Sequence, residues 1–428
     1  MALVTKNFSD IITFTRASTG TFFNSAGVLT SAATNAPRFD FNPSTLAAQG
    51  LLIEESRANL LLQSGWAGAT SGSPGAAPTS WGLGFGTGTV TTVVSSTAGP
   101  IASAVRFDYD NTERVYFDQT ITVTSGTQYA FSIYVEALSG VVAGDVLYVV
   151  SGTTTATINT FVTSPSATGR YTLLFTANGN GTVILRAGAG TSAAVGGTGS
   201  ITLSRPQCEA GSFATSYIPT TTTALTRAAD VASVNTLSPW YNASAGTLYA
   251  EVMLYALPPA STFPCYVDIN NGTTNERFAL SSNQFANHRV TVRNTAGNIW
   301  DTNAGGSIVA NIASKWALAA TSGDFSSAYN GIAGAVSSAT GMPAGLTQMT
   351  IGAAGGGANR ANGYLRRITY YPRRLSNAEL QAITTTSRTL LTRWTRWALV
   401  MSGPLRKPAA IRSGSGTAPT CPRCCLST

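Results

Sequence analysis

The chain holds a single histidine, His288, among 428 residues. Imidazole is the side chain that titrates near neutrality and the commonest metal ligand. One copy excludes any multi-histidine metal site. Charge is sparse too, at 10% of residues. No run of about 18 apolar residues marks a membrane-spanning helix, and the start, Met-Ala-Leu-Val-Thr-Lys, has no basic segment leading into an apolar one. The expectation is a protein made in the cytoplasm without a signal peptide. Cysteine is scarce: of five, Cys208 and Cys265 stand alone in the body and Cys421, Cys424 and Cys425 crowd the end, so no disulfide framework is implied.

What is present is 43% hydrophobic residues, 9% aromatics and 43 glycines. Such a chain can bury a core, unlike a disordered one. Short apolar runs broken by Gly, Ser, Thr and Asn predict all-β architecture. Residues 1–63 read as short strands and loops with turns at Ser18-Thr19-Gly20 and Asn24-Ser25-Ala26-Gly27, and a Gly/Ser/Pro/Ala stretch from Ser64 to Ser80 follows as linker or loop. From Trp81 to Pro219 the period is two: Tyr129, Phe131, Ile133 and Val135 share one strand face, with Ala130, Ser132, Tyr134 and Glu136 on the other. Similar runs at 115–123, 146–150, 171–175 and 182–185 predict an antiparallel sandwich.

A second sandwich is predicted after Thr226, beginning where Leu248, Ala250, Val252 and Leu254 alternate with polar or aromatic neighbours. Its further strands are placed at 278–280, 288–292, 315–320, 349–351 and 363–370, and residues 226–386 are expected to fold alone. One helix is predicted where Ser376 and Glu379 make a capping box and Leu375 and Leu380 its staple. The resulting division is 1–63, 64–222, 223–386 and a tail, 387–428.

The net charge of +8 belongs to that tail: beyond Glu379 lie seven basic residues and no acidic one, and without them 19 basic groups face 18 acidic. A near-neutral body argues against nucleic acid as a partner. Within the tail, Arg393-Trp394-Thr395-Arg396-Trp397 would suit an anionic surface, and three cysteines lack a fourth ligand for zinc. It reads as a disordered or loosely packed extension, with a functional basic arm as the alternative.

Three segments carry a resemblance. Phe14-Thr15-Arg16-Ala17-Ser18-Thr19-Gly20-Thr21-Phe22, Pro37-Arg38-Phe39-Asp40-Phe41 and Gly50 to Leu61 resemble the N-terminal attachment module of tailed-bacteriophage tail-fibre, tailspike and head-spike proteins. Pro206 to Thr220 resembles the closing strand of the carbohydrate-binding-module-like jelly roll that follows it, with Cys208 where an aliphatic residue is usual. Gly363 to Ser376 resembles the last strand of a concanavalin A-like, or laminin G-like, sandwich. The resemblance implies a virion fibre or spike, commonly a homotrimer, that touches host cell-surface glycan alongside other virion structural proteins. Arg16 and Arg38 could meet Glu54, Glu55 and Arg57 where the module docks, or form solvated surface pairs worth about 0–1 kcal/mol. Arg227 to Asp230 reads as a contact between sandwiches.

A glycosidase needs two carboxylates facing across a cleft. Asp108, Asp110 and Glu113 cluster without a distant partner, and the Glu-x-Asp-x-x-Glu pattern of concanavalin-fold glucanases is missing. Asp108 and Asp110 are candidates for a structural role or for calcium, and no other cofactor is implied. Sugar binding needs an aromatic platform beside amides or carboxylates. Candidates are Trp81, Tyr109, Tyr116 and Tyr134 in the first sandwich, and Trp300, Asp301 and Asn303 in the second, against the reading that a tryptophan in a sandwich is more often core than platform. The expectation is a non-catalytic attachment protein. The alternatives are a depolymerase cleaving surface polysaccharide and a purely architectural decoration protein.

Overall fold

The computed structural model describes residues 8–385, apart from 73–74, 86–91, 96–102, 111–113, 141–142, 161–163, 194 and 258–261, and also the strand Leu399–Met401. The chain is all-β, two antiparallel sandwiches, with helices only at Phe8–Ile11 and Asn377–Thr384 and a short 3-10 turn at Gly355–Gly357 among the described residues.

In the first sandwich a four-stranded sheet (Leu147–Ser151, Gly181–Ala189, Val115–Val123, Gly82–Phe85) packs on a six-stranded one (Ala156–Thr160, Gly169–Ala177, Gln128–Gly140, Gly199–Ala210, Ala104–Tyr109, Thr92–Ser95). The alternation read in the sequence sets the packing. Phe131, Ile133 and Val135 point inward, where they are at most 2% exposed, against Phe107, Phe117, Leu173 and Leu185. Tyr134 and Glu136 point out from the six-stranded sheet and are half-buried by what packs there.

The second sandwich is a seven-stranded sheet against an eight-stranded one. Three of their strands come from the N-terminal segment. Thr13–Thr15 pairs with Val231–Val234 at one edge of the seven-stranded sheet. Ala48–Ile53 pairs with Gly363–Tyr371 and with Phe39–Phe41 in the other sheet. A Cβ on Gly50 (φ +117°) would lie 2.6 Å from the Leu365 carbonyl oxygen, so glycine permits this close approach. Leu51 and Ile53, both 0% exposed, belong to the same core as Val252, Trp316 and Ile368.

The separate module expected at 1–63 is therefore corrected. Its apolar strands complete the second sandwich, and the first sandwich is an insertion between residues 59 and 225, whose flanking strands Arg57–Asn59 and Leu225–Arg227 pair with each other. The outer face of the eight-stranded sheet is covered by Asn377–Thr384, where Leu375 and Leu380 pack on Tyr249, Ala317 and Ala319. Its capping box is present, Ser376 and Glu379 each bonding the other's backbone N–H. Leu399–Met401 runs parallel to Ile368–Tyr370. The rest of the basic tail, with the Arg/Trp stretch and the three terminal cysteines, lies outside the described residues.

Candidate functional site

Where the insertion meets the second sandwich, a buried ionic cluster forms. Arg38 bonds Glu54 at 2.8 Å and Asp230 at 2.5 Å, Arg16 bonds Asp230 at 3.1 Å, and Arg227 bonds Glu54 at 2.8 Å. All five residues are at most 1% exposed. Two carboxylates thus face three guanidiniums, with Ser216 and Tyr255 also donating to Glu54. Burial alone would raise the Glu54 carboxyl, but Arg227, Arg38 and Ser216 outweigh it and hold it below the ordinary carboxylate range. The solvated surface reading of Arg16, Arg38 and Glu54 is overturned, because the insertion covers them. Glu55 and Arg57 pair with each other nearer the periphery, but Arg57 too is largely buried, donating to the Ala210 carbonyl and stacking on Phe213. Arg227 and Asp230 do lie between the sandwiches.

The segment from Gly211 to Thr220 is pinned beside this cluster. Gln207 accepts from the Ile218 N–H and donates to the Thr215 and Ser216 carbonyls, while Glu209 accepts from the Thr215 N–H at 2.8 Å. The sequence segments that carried the resemblance are therefore neighbours in space.

Beside the cluster a cleft of about 900 Å³ opens. One wall is the outer face of the six-stranded sheet of the first sandwich; the other comes from Phe22, Phe23, Asp40, Met253, Tyr255 and Tyr364. On the first wall, Tyr134 lies directly across from Arg170 on one neighbouring strand and from Ser204 on the other. At that point the strand pairing shifts register, and Arg205 takes φ +55°. A bulge of this kind re-aims a side chain out of the regular pleat. Both guanidinium carbons approach the Tyr134 ring, Arg205 at 4.0 Å and Arg170 at 5.3 Å from its centroid. The result is a row across the sheet of cation, ring and cation.

Carboxylates in this cleft are engaged by the protein. Asp40 accepts from the Phe23 N–H at 2.6 Å, the Phe41 N–H at 3.1 Å and the Tyr364 hydroxyl at 2.8 Å. Burial nevertheless raises it to about 6. Glu136 accepts from Arg205 and from Ser204.

Of the seven residues expected to contact sugar, Tyr134 lines this cleft and the other six do not. Trp81 is 7% exposed, sits edge-on to Trp66 and donates its Nε1–H to the Leu62 carbonyl at 2.8 Å, so it is core. Tyr109, 3% exposed, belongs to the same core. Tyr116 is 7% exposed and lies under the Arg186 guanidinium, 4.5 Å from the ring centroid. Trp300, also 7% exposed, packs on Phe325 inside the second sandwich. Asp301 is held bidentately by Arg289 at 2.6 and 2.5 Å, and exposed Asn303 accepts from Asn283 at 2.7 Å. These two polar groups thus stand on a sheet face without the ring expected beside them. Asp108 pairs with Arg106, and Glu113 lies outside the described residues. Among the described residues no group of three or more His, Cys, Asp or Glu is placed to hold a metal.

The sequence reading missed Phe23, Arg170, Arg205, Tyr255 and Tyr364. Arg205-Pro206 inside an otherwise regular strand was the one signal, since proline within a strand marks an edge or a bulge.

No protein-family model matches the chain, and no curated protein sequence matches it. Among solved structures, the CBM40 of a Ruminococcus gnavus IT-sialidase is similar at 18% identity, over 34% of this chain and 84% of that one, with a TM-score of 0.30. The NanB sialidase of Streptococcus pneumoniae is similar at 15% identity, over 35% of this chain and 25% of that one, with a TM-score of 0.31. A heptameric SAP-like pentraxin from Limulus polyphemus is similar at 11% identity, over 35% of this chain and 79% of that one, with a TM-score of 0.27. Each likeness is confined to about a third of the chain and identifies no ligand for it.

Proposed function

We propose that this chain is a non-catalytic glycan-binding protein, and that the cleft between its two sandwiches holds the glycan. The observation that carries this reading is the row Arg170, Tyr134 and Arg205 on one wall, faced by Phe23 and Tyr364 on the other. Rings beside fixed polar groups in a cleft of several hundred Å³ are what a sugar requires. The resemblance of the segments around Arg16, Arg38 and Gln207 to tailed-phage structural proteins supports display as a fibre or spike on a virion, where the glycan would be that of the host surface.

Binding is favoured over cleavage by the state of the carboxylates. Glu54 and Glu136 are each tied to guanidiniums, which leaves Asp40, raised to about 6 by burial, without the second available carboxylate that a glycosidase needs across the bond from its acid.

Purified host surface polysaccharide tests the reading when followed for both retention and new reducing ends. Retention without reducing ends is expected, and Tyr134→Ala should weaken it about tenfold, the scale of one lost aromatic contact. Reducing ends released by the wild type would establish a depolymerase instead. Absence of retention would leave an architectural role.

A further inference from the structure

We infer that the cleft selects an acidic saccharide, one whose ring carboxylate sits against Arg205 and Arg170. This rests on the glycan-binding reading above and adds the chemical class of the sugar.

Arg205 is 3% exposed. Its Nε donates to Ser204 Oγ at 3.0 Å and its Nη2 to Glu136, but its Nη1 is buried without a hydrogen-bond partner. Leaving a charged donor buried and unpaired is costly, more so than for a neutral group. The cost is compounded by the backbone, since φ +55° is a sparsely populated conformation for a residue that is not glycine. Two unfavourable features at one residue, in the wall of this cleft, point to a ligand group that completes its hydrogen bonding.

Arg170 supplies the second cation. Its donors go to Ser132 Oγ at 2.9 and 3.3 Å and to the Thr215 carbonyl at 2.5 Å, all neutral acceptors. No carboxylate lies within salt-bridge distance of it among the described residues. The wall therefore presents two guanidiniums against the single carboxylate of Glu136. Both guanidiniums lie against the same ring, which also meets Phe23 across the cleft at 6.2 Å between centroids, so the sugar takes the open part of the cleft beside this group, with its anionic substituent turned toward Arg205 and Arg170. A carboxylate matches this fork better than a hydroxyl, because it accepts charge-assisted bonds and has no proton of its own to place. On the opposite wall Asp40 turns both oxygens toward Phe23, Phe41 and Tyr364, which limits the repulsion it exerts on a bound anion.

The test is a calorimetric titration of the full chain with oligosaccharides of galacturonate, glucuronate-containing hyaluronan, alginate and sialic acid, each beside its carboxyl-reduced, neutral counterpart. At least one acidic member should bind, its neutral counterpart should bind at least tenfold more weakly, and raising the salt should weaken the acidic form alone. Arg205→Lys keeps a cation beside Glu136 but removes the planar donor; it should erase most of that discrimination. Arg170→Gln, at a half-exposed position that keeps a donor toward Ser132, should lower affinity for the acidic form only. Unchanged thermal midpoints show that each variant is folded. Equal binding of acidic and neutral forms, lost together in Tyr134→Ala, would overturn the charge selectivity and leave the glycan reading standing. If no saccharide of either kind binds, both fall.

Discussion

His288 illustrates how burial sets the chemistry of a residue. It is 0% exposed, 4.2 Å from the Trp316 ring centroid, and neither ring nitrogen has a partner. Desolvation lowers it to about 4, so the imidazole is neutral in the folded protein. Between pH 6.5 and about 4 the unfolded chain then binds one proton more at this residue than the folded one. Stability therefore falls as pH drops through that window, by about 1.4 kcal/mol per unit. Asp40 and Asp268, both raised to about 6 by burial, act in the opposite sense, since the folded state takes up their protons first. The comparison of wild type with His288→Phe isolates the imidazole. As pH falls from 6.5 to 4 the wild type should lose stability relative to the variant by about 1.4 kcal/mol per unit, and parallel curves would refute a buried neutral histidine. Here the residue type was legible in the sequence and its burial was not. The same holds for Trp81 and Trp300, whose rings face the cores; for Tyr134, by contrast, the outward phase on its strand follows from period two alone.

At the scale of elements, the strands and the capped helix were legible because each follows from local spacing: alternation within 129–136 and 248–254, and Ser376 with Glu379. The ionic cluster was not, because Arg16, Arg38, Glu54 and the pair Arg227 and Asp230 are brought together from four separate stretches and covered by the insertion. Nor was the bulge at Arg205, which depends on how two strands pair. The cluster joins the strand Ala48–Ile53 to the linker at 227–230, and its loss should be felt by both sandwiches. Glu54→Gln leaves Arg38 and Arg227 facing each other without their shared counter-charge. Breaking one side of a buried pair costs about 3–5 kcal/mol. Chemical denaturation should show a loss of that size, far above the 0–1 kcal/mol of a surface pair, whereas Arg106→Gln, whose pair with Asp108 is solvent-exposed, should change little. A loss below about 1 kcal/mol for Glu54→Gln would mean that the cluster is solvated.

For the whole molecule, the path of the chain decides which pieces can stand alone. The core of the first sandwich draws its buried residues from Leu61 to Cys208, so a fragment of residues 60–222 should fold cooperatively. Residues 226–386 should not, contrary to what the strand pattern suggests. That fragment lacks Thr13–Thr15, Phe39–Phe41 and Ala48–Ile53, exposing the edges of Val231–Val234 and Gly363–Tyr371. It also loses Leu51 and Ile53, each worth about 1.5–3 kcal/mol when fully buried, and strips Arg227 and Asp230 of Glu54, Arg16 and Arg38. The second sandwich should be recovered by keeping its N-terminal strands and replacing the insertion with a short Gly/Ser turn. Asn59 and Leu225 are partners at the ends of the two flanking strands, close enough for such a turn to join them as a hairpin. This shortened chain should unfold in one cooperative thermal transition, at a lower midpoint than the intact protein because Ser216 no longer donates to Glu54. It should also bind no glycan, since only one wall of the cleft remains. A cooperative transition in 226–386 alone, or its absence in the shortened chain, would show that the N-terminal strands are not part of the second sandwich.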